Sequence, residues 1–199
     1  MNLKQLQSIN LSEHFRASEI FYSRGSQIIT LGENEKLQRI QFFLAERLCE
    51  ELLEPIREIA VMKDREAYMD ISGGCRNRQS HLNMYSTNWI LPSTTSDHSF
   101  MNDYYPLGVG AVDFDISSFA GNETKMKNLF YDIIETFDGR QYGQVIFYPD
   151  SNSKYIHISN PKIILKEVGE LIEILPIKKK AIFKKIGEKG IYDYVRQNT

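Results

Sequence analysis

Apolar residues recur along this chain in two periods. From Asn34 onward, Leu37, Ile40, Leu44, Leu48, Leu52, Ile56 and Ile59 follow at steps of three and four, so a helix with one apolar stripe is predicted over that stretch. Pro55 lacks an amide hydrogen and should kink or interrupt its last turn. A second amphipathic helix is predicted from Met126, Leu129, Phe130, Ile133, Ile134 and Phe137, with Asn122 or Thr124 as cap and Asp138-Gly139 as stop. Nearer the start, 11–21 reads as one short helix with Ser18 as its N-cap.

The other period is two. Strands are predicted at 68–72, 111–117, 144–148 and 154–159. In Ala111-Val112-Asp113-Phe114-Asp115-Ile116 the alternation sends Val112, Phe114 and Ile116 to one face, Asp113 and Asp115 to the other. In Tyr155-Ile156-His157-Ile158-Ser159 it separates Ile156 and Ile158 from His157 in the same way. Two strands therefore bury aliphatics on one side and offer metal-ligand groups on the other. Between them, 77–110 is a long polar stretch with weak periodicity, and long loops inside a domain are often functional. The segment 162–199 holds the apolar run 171–175 and then Lys178-Lys179-Lys180 and Lys184-Lys185, an added hairpin or helix beyond the core.

Composition narrows the class without choosing a function. The 199 residues are 42% hydrophobic and 25% charged, values of a globular chain rather than a disordered one. A net charge of −2 gives no electrostatic reason to expect nucleic acid as a partner. Cys49 and Cys75 are too few for a disulfide framework and lack zinc-knuckle spacing. The opening MNLKQLQSINL has no apolar run of signal-peptide length, and nothing approaches the ~18 apolar residues of a membrane span. Synthesis as a cytoplasmic protein without an export signal or a membrane span is the expectation.

Four histidines are present: His14, His81, His98 and His157. A hydrolytic zinc site needs three protein ligands and an open position for water, and a His98, Asp113, His157 set satisfies that chemically. Asp115 lies on the same strand face as Asp113, either as a partner that orients a ligand or as the ligand itself. His14 and His81 are expected to be structural or exposed, and the lysines of 178–185 to form a solvated face. Trp89, Tyr104 and Tyr105 either line a groove or anchor the long loop.

These residues also carry a family likeness. The chain resembles the zinc peptidoglycan peptidases that include the D-alanyl-D-alanine carboxypeptidases and L-alanyl-D-glutamate endopeptidases, above all their short phage-type members. The family motif S-x-H-x-x-G-x-A-x-D is matched by Ser96, His98, Ala111 and Asp113, and its final strand histidine by His157. Ile71-Ser72-Gly73-Gly74-Cys75-Arg76-Asn77 is similar to the family's I-T-S-G-Y-R-S segment, and 11–19 and 52–58 are similar to its beginning. The likeness covers about 11–160, in the family's order.

The resemblance implies an α+β fold, with helices packed on one side of a small, mainly antiparallel sheet and the site at the other face. It implies a domain over 1–160 and a lysine-rich C-terminal extension over 161–199. It also implies zinc held by His98, Asp113 and His157, a peptidoglycan stem peptide as substrate, and Arg76 holding the substrate carboxylate or the developing oxyanion. Fourteen residues separate His98 from Asp113 where the motif has six, so about eight are inserted within 100–108, and the motif's glycine falls on Val109. Lys154 stands where many members carry the catalytic base. Phage-type members often place a Glu just after the preceding strand, where the nearest positions here are Tyr148 and Asp150, so the resemblance implies Asp150 as general base. Tyr148-Pro149-Asp150-Ser151-Asn152 also reads as an ordinary hairpin turn. A wall-cutting enzyme without an export signal is expected to act after release by lysis or within a phage virion, where phage structural proteins would be its partners. An inactive domain serving as a structural module of such a particle is the alternative.

Overall fold

Short polar side chains decide where the helices begin. In the computed structural model, which describes residues 1–85, 96–101, 108–137, 142–149, 154–161, 163–168, 171–176, 182–187 and 190–195, α1 (Leu3–Ser8) opens on Asn2. The Asn2 side chain accepts from the Gln5 amide while Gln5 returns a bond to the Asn2 amide. Helix α2 (Ala17–Phe21) starts six residues later than the sequence pattern suggested. Arg16, not Ser18, is its cap residue, and the Glu19 carboxylate accepts from the Arg16 amide at 2.7 Å. Residues 11–15 form no helix, since the Leu11 and Ser12 amides are both turned back onto the Phe15 carbonyl. A two-residue ribbon follows, β1 (Tyr22–Ser23) with β2 (Ile28–Ile29).

The long helix is present, and its irregularity is a widening rather than a stop. Asn34 caps α3 (Glu35–Leu48) by accepting from the Leu37 amide. A single π-helical turn, Cys49–Leu53, then leads directly into α4 (Glu54–Lys63). Pro55 cannot supply the bond to residue 51, and the wider turn absorbs the missing bond so that helical backbone continues for two more turns. Strand β3 (Met69–Gly73) and helix α5 (Arg78–Tyr85) precede a 3-10 turn at Asp97–Ser99. Next come β4 (Ala111–Ile116) and α6 (Glu123–Thr136), the latter capped by Asn122. Strands β5 (Gln144–Phe147), β6 (Ile156–Ser159), β7 (Ile163–Val168), β8 (Leu171–Pro176), β9 (Ile182–Gly187) and β10 (Gly190–Val195) complete the chain.

The architecture is α+β, around a six-stranded sheet of order β10-β9-β5-β6-β4-β3. All neighbours in it are antiparallel except β5 and β9. Strands β7 and β8 form a separate hairpin. The aliphatic face is as the alternation requires. Val112, Phe114 and Ile116 of β4, Val145 and Phe147 of β5, and Ile156 and Ile158 of β6 are fully buried in one cluster. The same cluster takes in Leu44 and Leu48 of α3, Ile56 of α4, and Met126, Leu129 and Ile133 of α6. Helices thus cover one face of the sheet, and Asp113 and His157 belong to the opposite one.

Candidate metal centre

Two of the expected ligands are neighbours by sheet register alone. Asp113 of β4 is directly opposite His157 of β6, and paired residues in an antiparallel ladder share a face. The Asp113 Oδ1 lies 2.8 Å from His157 Nδ1. His98 arrives from the 3-10 turn, with its Nε2 3.4 Å from the same oxygen. All three side chains are buried, and their ligand atoms lie within 4.8 Å of one another. This is a group that could hold a metal ion.

Several details fit that use. The Gly74 carbonyl accepts from His98 Nδ1 at 2.9 Å, which fixes the tautomer that turns a lone pair on Nε2 toward Asp113. A separation of 3.4 Å matches the edge of a tetrahedron with bonds of about 2.1 Å, for which about 3.4 Å is expected. The 2.8 Å contact is a hydrogen bond that would open toward that value on ligation. The other ring nitrogen, His157 Nε2, is buried with no hydrogen-bond partner among the described residues. Burial pushes the Asp113 carboxyl up, but the His98 and His157 imidazoles outweigh it and hold the group far below the usual carboxylate range. Burial lowers the His98 imidazole against the pull of Asp113, favouring the neutral form that can ligate.

The chain between His98 and Asp113 is closed at its base. The Gly110 amide donates to the Asp97 carbonyl at 2.8 Å, so the chain leaves after His98 and returns beside it. Phe100 and Met101 take left-handed backbone conformations at the exit, and Gly110, at φ +94°, does so at the return. Asn160 then locks the return strand, donating to the carbonyls of Val109 and Leu44.

Around these residues is a cleft of about 520 Å³, lined by Arg76, Asp97, Gln144, Ile146, Tyr148 and Tyr155 as well as the ligand set. The two tyrosine rings stack at 4.6 Å across the end of the β5–β6 ladder. Gln144 and Ile146 of β5 and Tyr148 just beyond its end fall at every second position, a period the sequence displays. Asp97 is a further buried carboxylate on the cleft wall that sequence reasoning passed over, though it adjoins His98. A larger hollow of about 1060 Å³ lies near Leu31, Asn34 and Arg78, away from the ligand set.

Other expected residues fall as follows. Arg76 reaches the site, with its guanidinium donating to Asp113 Oδ2 at 2.8 Å. Asp115 is not part of the ligand group. It pairs in register with Asp70, and burial followed by that neighbour's charge raises its carboxyl. Lys154 is turned away, its ammonium donating to the Pro149 carbonyl at 2.9 Å. His14 bonds the Glu54 carboxylate at 2.8 Å, a structural use that ties 12–14 to α4. Asp150, Trp89, Tyr104, Tyr105 and Asp138-Gly139 lie outside the described residues, as does the side chain of His81. Among the described residues no helix is long and apolar enough to cross a membrane. No family model matches the chain, and no curated protein or solved structure matches it.

Proposed function

We propose that the protein is a zinc-dependent peptidase that hydrolyses a peptide bond in the peptidoglycan stem. The observation that carries this reading is the convergence of His98, Asp113 and His157 beside a cleft, in the chain order that the family resemblance implies. Two imidazoles and one carboxylate are a donor set suited to zinc, leaving a fourth position for water or substrate. Bound there, zinc would polarise the scissile carbonyl and bring a water toward a pKa of about 7. The chain's own residues would do the rest. The stacked Tyr148 and Tyr155 rings and Ile146 offer an apolar wall for a peptide, and Gln144 offers amide hydrogen bonds. Asp150, two residues beyond Tyr148, serves as proton acceptor in this reading. The setting is a phage-derived lysis enzyme or virion component, meeting its substrate once the cell is opened or the particle attaches.

Purified protein is expected to contain one zinc per chain and to cleave a synthetic stem pentapeptide. Chelation, His98→Ala or His157→Ala should each reduce cleavage to background, followed by chromatography of the products. Zinc-free protein, or cleavage that survives both substitutions, overturns the reading. A second reading, an inactive peptidase-like module of a phage particle, is favoured by Lys154 bonding its own turn where a carboxylate is customary. Zinc binding without cleavage of whole peptidoglycan would select it.

A further inference from the structure

Segment 72–76 touches two of the three candidate ligands at several points, and each contact has a separate origin. Ser72 Oγ donates to the Asp113 carbonyl at 3.2 Å. The Gly74 carbonyl receives His98 Nδ1, and the Arg76 amide donates to the His98 carbonyl at 2.7 Å. The Arg76 guanidinium takes Asp113 Oδ2, while Oδ1 is left facing both histidines. The register shift between Ile71 and Gly73 puts Gly73, rather than Ser72, opposite Asp113. A Cβ on Gly73 would stand 2.7 Å from Asp113 Oδ2 and 3.3 Å from the Arg76 guanidinium, so only glycine leaves room for the pair.

We infer that segment 72–76 is the positioning shell of the metal centre, and that Arg76 is a positioning residue holding Asp113 as a one-oxygen ligand. This rests on the metal-binding part of the reading above. A carboxylate with both oxygens available can swing onto an ion through both and fill the position that water or substrate needs. Engaging one oxygen with a guanidinium prevents that rotation and keeps the aspartate charge compensated in a buried site. An arginine already used as that counter-ion is not held in reserve for a substrate carboxylate, the role the resemblance suggested.

The test uses full-length protein titrated with Zn²⁺ and Co²⁺ against a chromophoric chelator, together with the visible spectrum of the Co²⁺ form. Arg76→Gln and Gly73→Ala should each lose roughly 10- to 100-fold in metal affinity. The Co²⁺ bands should weaken toward those of a higher coordination number. Arg76→Lys should recover part of the affinity, because it restores the charge but not the planar fork. Circular dichroism identifies variants that fold, and Arg76→Lys and Gly73→Ala decide the matter if Arg76→Gln does not. Folded variants with wild-type affinity and spectrum overturn the inference while leaving the peptidase reading intact. Wild-type protein that binds neither ion removes the metal centre and the inference together.

Discussion

Asn160 stands immediately after β6, and its side-chain amide donates to Leu44 of α3 and to Val109 at 2.8 and 2.9 Å, both buried. Its own amide donates to Gly110. One residue therefore joins the long helix, the last site strand and the return of the insertion. Asn160→Ala removes the side-chain donor shared by the Leu44 and Val109 carbonyls and should cost about 1–2 kcal/mol, read by urea denaturation. A loss under about 0.5 kcal/mol would show the three parts hold together without it. At the same scale, burial pushes the Cys75 thiol up from 9.0 to about 12. The unfolded thiol ionises first as pH rises, so this group's contribution to stability declines above pH 9. Native protein should resist thiol reagents at pH 8 at both cysteines and react at both after denaturation; rapid labelling of the native form would contradict the buried placement. Single residues were unevenly legible in the sequence. Asp113 and His157 could be read because alternation fixes which face a strand residue takes. What Arg76 meets could not, since a side chain that bridges to a strand 37 positions away leaves no local trace.

Among the elements, strong periodicity was the reliable guide. Both amphipathic helices and the strands at the site fall within a residue or two of where their patterns put them. Helices α1 and α5 were missed, at six and eight residues too short to display a stripe. Pro55 does interrupt the α-helix, and the form of the interruption, a π turn over Cys49–Leu53, was not legible because it depends on what the helix packs against. The bond between the Asp97 carbonyl and the Gly110 amide ties together the two ends that flank 102–107. Replacing 102–107 with a short glycine link should therefore change zinc affinity by no more than roughly threefold, about the factor that loop-length entropy allows. A drop beyond a hundredfold in chelator competition would assign the insertion to the ligand scaffold.

For the molecule as a whole, the C-terminal strands are the part the family resemblance did not reach, and β9 lies against β5 in parallel register from Gln144 to Phe147. Removing 163–199 would leave β5 with one free edge bearing an apolar sequence, the arrangement that invites self-pairing. The truncated chain should keep its zinc affinity, as every candidate ligand precedes residue 160, yet elute as oligomers in size-exclusion chromatography with light scattering. A monomeric truncation of unchanged melting temperature would mean the sheet does not need the extension. The way the ligands are divided also sets an order of events as the chain folds. Asp113 and His157 meet only when strands 44 positions apart have paired, whereas His98 is delivered by a turn anchored to segment 72–76. An ion caught by one histidine during synthesis would have to wait for the sheet to zip before gaining its remaining donors. Any ion held there would be captured late, after the sheet has assembled, so its scarcity would leave assembled protein rather than unfolded chains.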